Sequence, residues 1–187
     1  MWFSKYFPVL CAVFLLAVAA CGFQPLYQKN SAGSAVSDDL GRVKIANIKT
    51  KKREDDRLAQ KFHNLLLDRL NPNGRPQQPA YTLIITMGVG KEETSIQITD
   101  DATRARLTVS AGFVLRDTAQ SNQEVLTGSE RSVNSYNIVD SEFATLSAEA
   151  DASDRAIREL SDAIKLRISV YFSRLRQQDS TREDRRR

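Results

Sequence analysis

Apolar residues occupy every second position from Ala105 to Leu115, with mostly polar residues between them, and this is the clearest pattern in the chain. Successive side chains of a strand point to opposite faces, so the pattern predicts a strand with one face in a core and one in water. The polar face would carry Arg104, Arg106, Thr108 and Ser110. The apolar face would carry Ala105, Leu107, Val109, Ala111, Phe113 and Leu115.

Four other segments have extended patterns and are predicted to be strands: residues 42–49, 81–89, 94–99 and 124–136. The stretches that separate the last four strands are short enough for an antiparallel meander. They are Gly88-Val89-Gly90, Asp100-Asp101-Ala102 and Asp117 to Asn122. The first strand is separated from Tyr81 by about thirty residues, which allows a parallel crossover through a helix. The sheet is therefore predicted to be mixed.

Two helices are predicted from apolar residues at helical spacing. The first runs from about Lys51 to Leu70 and ends at Asn71-Pro72-Asn73-Gly74, because proline cannot continue the hydrogen-bond ladder. Its apolar positions are Leu58, Phe62, Leu65 and Leu66. The second begins after the capping pair Asp140-Ser141 and continues to about Arg176. Its apolar positions are Leu146, Ala150, Ile157, Leu160, Ile164, Ile168, Tyr171 and Leu175.

These elements predict an α+β fold in two layers. Two helices with single apolar stripes would pack on one face of a mixed, mostly antiparallel sheet of four to five strands. Residues 41–176 would form this single domain. The polar residues before it read as the end of a flexible tether spanning 21–40, and residues 177–187 read as a disordered charged tail.

The N-terminus predicts export and lipidation. An apolar run from Val9 to Ala20 is too short to span a bilayer as a helix and follows a single lysine, as in a secretory signal. It ends in Val18-Ala19-Ala20-Cys21, in which small residues precede a cysteine that can accept a diacylglyceryl group. Cleavage of residues 1–20 would leave acylated Cys21 as the first residue. The alternatives are an ordinary cleaved signal with an incidental cysteine, or an apolar N-terminal helix.

The prediction of lipidation has further consequences. Cys11, the other cysteine, would be discarded with the signal, so the mature chain would have no disulfide. Each buried acyl methylene contributes roughly 0.8 kcal/mol, so several acyl chains on Cys21 would hold the protein on a membrane facing the periplasm. Gly22 is not the aspartate that commonly retains lipoproteins at the inner membrane, which favours the outer membrane.

The charge distribution argues against a nucleic-acid partner. Cleavage would remove only Lys5 and lower the formal net charge from +4 to +3. That excess lies within residues 174–187, so the predicted folded body is close to neutral. Binding to a phosphate backbone needs a clustered basic face on the fold itself.

The residues also argue against an enzyme. His63 is the only histidine and lies at the margin of the first helix's apolar stripe, where a structural role is expected. Without a second histidine or a free cysteine, zinc sites and Cys-His catalysis are excluded. Gly88-Val89-Gly90 lacks the third glycine of a phosphate-binding loop and is interpreted as a hairpin turn. No metal and no cofactor is predicted, apart from the covalent lipid on Cys21.

Four basic residues are candidates for binding anionic groups, because arginine pairs bidentately with phosphate and carboxylate. They are Lys91, Arg104, Arg106 and Arg131. The alternative for each is a solvated position at a strand edge, paired with Asp100 or Asp101.

The chain resembles a known family in several segments. The run Cys21-Gly22-Phe23-Gln24-Pro25-Leu26-Tyr27 resembles the start of mature lipopolysaccharide-assembly lipoproteins of the LptE family, in their short form. Thr99 to Leu107 looks like the central hairpin of that family. Ser135-Tyr136-Asn137, followed by Ser141 to Ala144 and by Ala148 to Ala156, looks like its entry into the last helix.

The resemblance implies a non-enzymatic outer-membrane lipoprotein. It would plug the lumen of a large β-barrel, the LptD translocon, assist the assembly of that barrel, and help to insert lipopolysaccharide into the outer leaflet. It also implies that basic residues near strand turns bind lipopolysaccharide, with Arg104 and Arg106 as candidates. A lipid-binding accessory lipoprotein of an ABC-type envelope transport system is the alternative, and a cell-envelope hydrolase is a more distant one.

Overall fold

The structure, a computed structural model, describes residues 36–94 and 103–186. Within these ranges the helices are α1 (Val36–Leu40), α2 (Asp56–Leu70) and α3 (Glu142–Asp184), and a 3-10 turn at Arg53–Asp55 leads into α2. The strands are β1 (Val43–Ile45), β2 (Lys49–Thr50), β3 (Tyr81–Thr94), β4 (Thr103–Asp117) and β5 (Gln123–Ile138).

The strands form one mixed sheet. Its order is β1-β3-β4-β5. β1 and β2 both pair with β3, β1 along Tyr81 to Leu83 and β2 further along the same strand, at Thr86 and Met87. β1 and β2 are parallel to β3, whereas β3, β4 and β5 are antiparallel. α2 and its flanking loops make the parallel crossover between β2 and β3, as the sequence predicted. The long meander β3-β4-β5 forms most of the sheet.

The helices pack on one face of this sheet. The alternating apolar residues of β4 are all buried, and Phe113 among them is 2% exposed. Phe62 of α2 and Phe172 of α3 are buried against the same core at 0% and 1%. Arg69 Nε on α2 donates to Asp162 Oδ1 on α3 at 2.5 Å, and this hydrogen bond lowers the pKa of Asp162. The two-layer α+β sandwich is therefore confirmed.

β3 is longer than the sequence predicted. Gly88-Val89-Gly90 is not a hairpin turn, because β3 continues through it to Thr94 in register with β4. Gly88 pairs with Ser110, and Gly90 pairs with Thr108. Neither glycine has a positive φ, so no turn conformation requires them there. The predicted strand at 94–99 begins at the last residue of β3, and its remainder, with the turn at 100–102, lies outside the described residues.

The predicted tether is too long at its C-terminal end. Val36 and Leu40 are one helical turn apart in α1 and are 5% and 3% exposed within the core. Asp39 pairs with Arg176 of α3 at 2.6 Å, and Asn71 Nδ2 donates to the carbonyl oxygens of Leu40 and Gly41. The folded body therefore includes residues 36–40, whereas residues 21–35 lie outside the described ranges.

α3 also differs from its prediction at both ends. It continues as a helix through residues 177–184, which were predicted to be disordered, and its 43 residues span about 65 Å at 1.5 Å per residue. The side chains of 177–184 are all exposed. Near its start, Leu146 is 57% exposed and Ala150 is exposed, while Ala152 and Ala156 are buried at 0%. The buried face of α3 therefore starts at Ala152, and not at Leu146 as the apolar spacing predicted.

Gly128 of β5 packs directly against the ring of Phe113, which leaves no room for a side chain at this position. A Cβ atom built on Gly128 would lie 2.7 Å from Cζ of Phe113, whose buried ring has little room to move. Overpacking of this kind costs about 1–3 kcal/mol, so we expect Gly128→Ala to lower the free energy of unfolding by that amount. Urea unfolding followed by circular dichroism measures the change.

Gly112 provides the matched control for Gly128. It lies in β4 one position before Phe113, points away from the helices, and has no atom within 4 Å of a built Cβ. Alanine is favoured over glycine in a strand interior by roughly 0.5–1 kcal/mol, so Gly112→Ala should cause no loss of stability. Equal losses in the two variants would contradict the assigned faces.

Candidate functional site

The side chains of β3, β4 and β5 that point away from the helices form a broad surface, here called the open face. Its centre consists of two cross-strand rows in which small residues predominate. One row is Thr86, Gly112 and Ser129, and the next is Gly88, Ser110 and Arg131. Because the glycines lack side chains, the centre of the open face has low relief and presents mainly hydroxyl and backbone groups.

Arg104 and Arg106 lie exposed on the open face, at the end of β4 nearest residues 95–102. They are two positions apart on one strand, so their side chains leave the same face. Arg131 of β5 lies on the same face and pairs with Ser110 of β4. Ser110 is four residues from Arg106, so Arg131 and Arg106 are separated by about 13 Å along the strands, at roughly 3.3 Å per residue. Within the described parts of the chain, none of the three arginines forms an ion pair.

Other charged groups of the open face limit its positive potential. Glu92 lies directly opposite Arg106 on β3. Arg116, at the far end of β4, donates to Glu124 at 2.8 Å. The structure therefore brings Arg104 and Arg106 together as a pair, with Arg131 as a separate positive group.

Lys91 does not join these arginines. It pairs with Leu107 in the register and therefore leaves the opposite face of the sheet, on the side of the helices. There its Nζ lies 2.5 Å from Glu149 Oε1 of α3. The side on which Lys91 lies could have been predicted from the sequence. Leu83, Ile85 and Met87 are the apolar positions of β3, so its odd-numbered residues face the helices.

A row of polar contacts between β5 and α3, here called the polar seam, was not predicted from the sequence. It holds α3 over the edge strand through four contacts: Glu130 with Arg167 (2.7 Å), Ser132 with Glu159 (2.5 Å), Asn134 with Arg155 (3.2 Å) and Tyr136 with Glu149 (3.1 Å). Burial and the neighbouring Glu149 carboxylate raise the pKa of Tyr136. The sequence contains one indication of the polar seam: β5 has polar residues on both faces, so its helix-facing side cannot pack on α3 through apolar contacts alone.

The remaining predicted features are placed as follows. His63 is 8% exposed on α2, close to the apolar side chains of Phe62 and Leu66. Among the described residues, no group of three or more histidine, cysteine, aspartate or glutamate side chains could hold a metal ion. No helix in the described ranges has the length and apolar character needed to cross a membrane. Cys21 lies outside those ranges.

Comparisons with known proteins identify the family. No curated protein matches the chain significantly. Among solved structures, a protein from Caulobacter crescentus CB15 described as a lipoprotein has a TM-score of 0.55 and 18% identity, and the match covers 74% of this chain and 95% of that one. A minor lipoprotein from Acinetobacter baumannii has a TM-score of 0.46 and 13% identity, with 70% and 94% covered.

The first of these structures shares the fold. A family model described as LptE, lipopolysaccharide-assembly, matches residues 40–168, which include every strand of the described sheet, α2 and most of the buried part of α3. More than half of the chain is covered by this match. The chain therefore belongs to the LptE family of lipopolysaccharide-assembly proteins.

Proposed function

We propose that the chain is a lipoprotein of the outer membrane, anchored by acyl chains on Cys21 and facing the periplasm. It binds and plugs an LptD-type β-barrel, assists the assembly of that barrel, and supports the insertion of lipopolysaccharide into the outer leaflet. It acts as a binding and structural component and catalyses no reaction. The family match supports the link to lipopolysaccharide assembly, and the sequence of residues 18–27 supports the anchor.

The open face is the observation that carries the proposal of a plug. An antiparallel sheet with one face covered by helices leaves its other face to water or to a partner. Here the centre of that face is flat and rich in hydroxyls, with Thr86, Ser110 and Ser129 around Gly88 and Gly112. The interior of a transmembrane β-barrel is polar. We assign the open face to the inner wall of the barrel, because the centre of this face and the barrel interior are both polar.

The alternative, a carrier of lipids for an ABC-type transport system, predicts an apolar groove between the helices and the sheet. In the described structure this layer is filled by packed side chains. Phe62, Leu107 and Ile164 all have 0% exposure there. A lipid tail would have to displace them, and this favours the plug over the carrier.

Affinity purification tests the proposal. The full chain, tagged at its C-terminus and extracted from membranes in mild detergent, is expected to bring down a large outer-membrane β-barrel in a defined ratio. Recovery of inner-membrane transport components in place of a barrel would support the carrier. A membrane preparation without any barrel would contradict the plug.

The arginine pair allows a separate prediction about lipopolysaccharide. We expect the double variant Arg104→Ala with Arg106→Ala to weaken binding of purified lipopolysaccharide about tenfold, because charge-assisted bonds to phosphate are among the stronger hydrogen bonds. Both side chains are exposed, so the free energy of unfolding should change by no more than about 0.5 kcal/mol. Titration of fluorescent lipopolysaccharide and urea unfolding measure the two quantities.

Lys91→Ala is the control for that prediction, because Lys91 lies on the helix side and pairs with Glu149. Its loss should cost about 0.5–1 kcal/mol of stability, as for a partly exposed ion pair, and leave the affinity for lipopolysaccharide unchanged. If Lys91→Ala weakens binding as much as the arginine variant does, the open face is not the binding surface.

A further inference from the structure

The C-terminal end of α3 extends beyond the folded body. Phe172 is the last buried residue of this helix, and the side chains of 177–184 are all exposed. The helix continues from Ser173 to Asp184, a length of about 18 Å. A polar helix end without packing is only marginally stable in water, because most helical stability in proteins comes from packing. A partner surface that binds this overhang would therefore stabilise it as a helix.

One face of the overhang carries arginines and no acidic residue. It is here called the arginine face and consists of Arg174, Gln178, Thr181, Arg182 and Arg185. These residues follow the i, i+4, i+7, i+8, i+11 spacing of a single helical face. The acidic residues of the overhang lie about 110° or more from the centre of this face, at about 100° per residue. They are Asp179, Glu183 and Asp184. The overhang therefore separates its positive and negative charges around the helix.

The three arginines of this face have no anionic partner within the described part of the chain. Arg174, Arg182 and Arg185 are exposed, and none of them forms an ion pair there. The helix dipole favours cations in the last turn, which accounts for Arg182 and Arg185. It does not account for Arg174, which lies about 15 Å before the end of α3. An external anionic surface accounts for all three.

The chain enters the body at this same end of α3. Asp39 of α1 lies 2.6 Å from Arg176, and α1 spans only about 6 Å, so Val36 lies close to the start of the overhang. The stretch from Cys21 to Val36 reaches at most about 50 Å, at roughly 3.3–3.6 Å per residue. The start of α3 at Glu142 lies about 50 Å from Arg176 in the other direction. An acyl anchor on Cys21 therefore holds the overhang nearer to its membrane than the start of α3.

We propose that the arginine face binds the anionic phospholipid surface of the membrane that holds this anchor. The guanidinium groups of Arg174, Arg182 and Arg185 pair with lipid phosphates, for which their fork geometry is suited. Each basic residue near an anionic bilayer strengthens binding about fivefold, and the tether keeps the effective concentration of the surface high. The proposal rests on the proposed function for the place of this surface in the cell. It adds a second contact, which sets the direction of α3 relative to the membrane.

Vesicle binding tests the arginine face without the anchor. The mature chain with Cys21→Ala has no acyl chain, while its core within residues 36–172 is unchanged. Vesicles of equal amounts of phosphatidylglycerol and phosphatidylcholine are the probe, and vesicles of phosphatidylcholine alone are the comparison. At an ionic strength of about 0.05 M, we expect the protein to partition at least about tenfold more strongly onto the anionic vesicles. Salt at about 0.5 M should remove the difference, because it screens exposed charges.

Matched variants separate the arginine face from net charge. Glutamine in place of its three arginines should weaken partitioning onto the anionic vesicles at least about tenfold. The control removes the same charge from exposed positions away from the overhang and should leave partitioning unchanged. Its substitutions are Arg53→Gln, Arg57→Gln and Arg158→Gln. The circular dichroism spectrum should be the same for both variants, since all six side chains are exposed.

A fluorescent label identifies the face that meets the lipid. Cys11 and Cys21 are the two cysteines of the sequence, so the mature Cys21→Ala chain accepts a single new cysteine for labelling. An environment-sensitive dye at Gln178→Cys, on the arginine face, should shift to the blue on anionic vesicles. The same dye at Ser180→Cys, on the opposite face, should not. The proposal is overturned if the dye responds equally at both positions, if the two triple variants weaken binding equally, or if phosphatidylglycerol does not strengthen binding.

These measurements are independent of lipidation at Cys21. Three arginines without acyl chains do not hold the protein on a membrane at physiological ionic strength, where exposed charges are largely screened. Release of the Cys21→Ala protein from the membrane therefore tests the anchor of the proposed function, whereas vesicle partitioning at low ionic strength tests the arginine face.

Discussion

Phe62→Ala is expected to lower the free energy of unfolding by about 3–5 kcal/mol, the usual cost of removing a fully buried aromatic side chain. Phe62 is 0% exposed and belongs to the core cluster that joins α2 to the sheet and α3. Domains of this size have a total stability of about 5–15 kcal/mol, so the variant would lose a large share of it. Urea unfolding followed by circular dichroism gives the value.

Leu166→Ala is the control for this prediction. Leu166 is a large apolar residue on α3, but it is 57% exposed. Its truncation should change the free energy of unfolding by about 0.5 kcal/mol or less, because little apolar surface returns to water. A small effect of Phe62→Ala, comparable to that of Leu166→Ala, would show that α2 does not close the core as described.

Cys21→Ala is expected to move the protein from the membrane to the soluble periplasmic fraction when the chain is produced in excess of any partner. Without the thiol no acyl chain can be attached, and each buried methylene of such chains contributes roughly 0.8 kcal/mol to anchoring. The core lies within residues 36–172, so the circular dichroism spectrum should not change. Fractionation after osmotic shock measures the distribution.

Cys11→Ala provides the internal comparison for Cys21→Ala. Cys11 lies inside the predicted signal and would be absent from the mature protein, so this variant should remain in the membrane fraction. If Cys21→Ala stays with the membrane even in excess, Cys21 is not the anchor. If it is soluble but unfolded, the lipid has a structural role.

The regular parts of the fold were predictable because a single physical signal dominated each of them. The alternation of β4 and the helical spacing around Phe62 both follow from burying one face of an element, and both are confirmed. The predicted turn at Gly88-Val89-Gly90 was wrong, because glycine on an exposed sheet face is compatible with a continuous strand as well as with a turn. The pattern of side chains on β3 could not decide between them without the register to β4.

Long-range contacts set the limits of the other predictions. The buried positions of Val36 and Leu40 depend on packing against α3, more than a hundred residues away, and five residues alone give little helical signal. The polar seam likewise pairs residues of β5 and α3 that only the fold brings together. Arg104 and Arg106 were correctly predicted to lie on the polar face of β4. Because β3 continues as a strand through residue 91, Lys91 lies on the opposite face of the sheet, on the side of the helices.

Photocrosslinking from the open face tests the central claim most directly. A photoreactive amino acid in place of Ser110, at the centre of the open face, is irradiated in intact cells. We predict a covalent adduct with a large outer-membrane β-barrel, and its loss in cells depleted of that barrel. A membrane-bound chain that forms no adduct with a barrel from Ser110, or only adducts with inner-membrane proteins, would contradict the account.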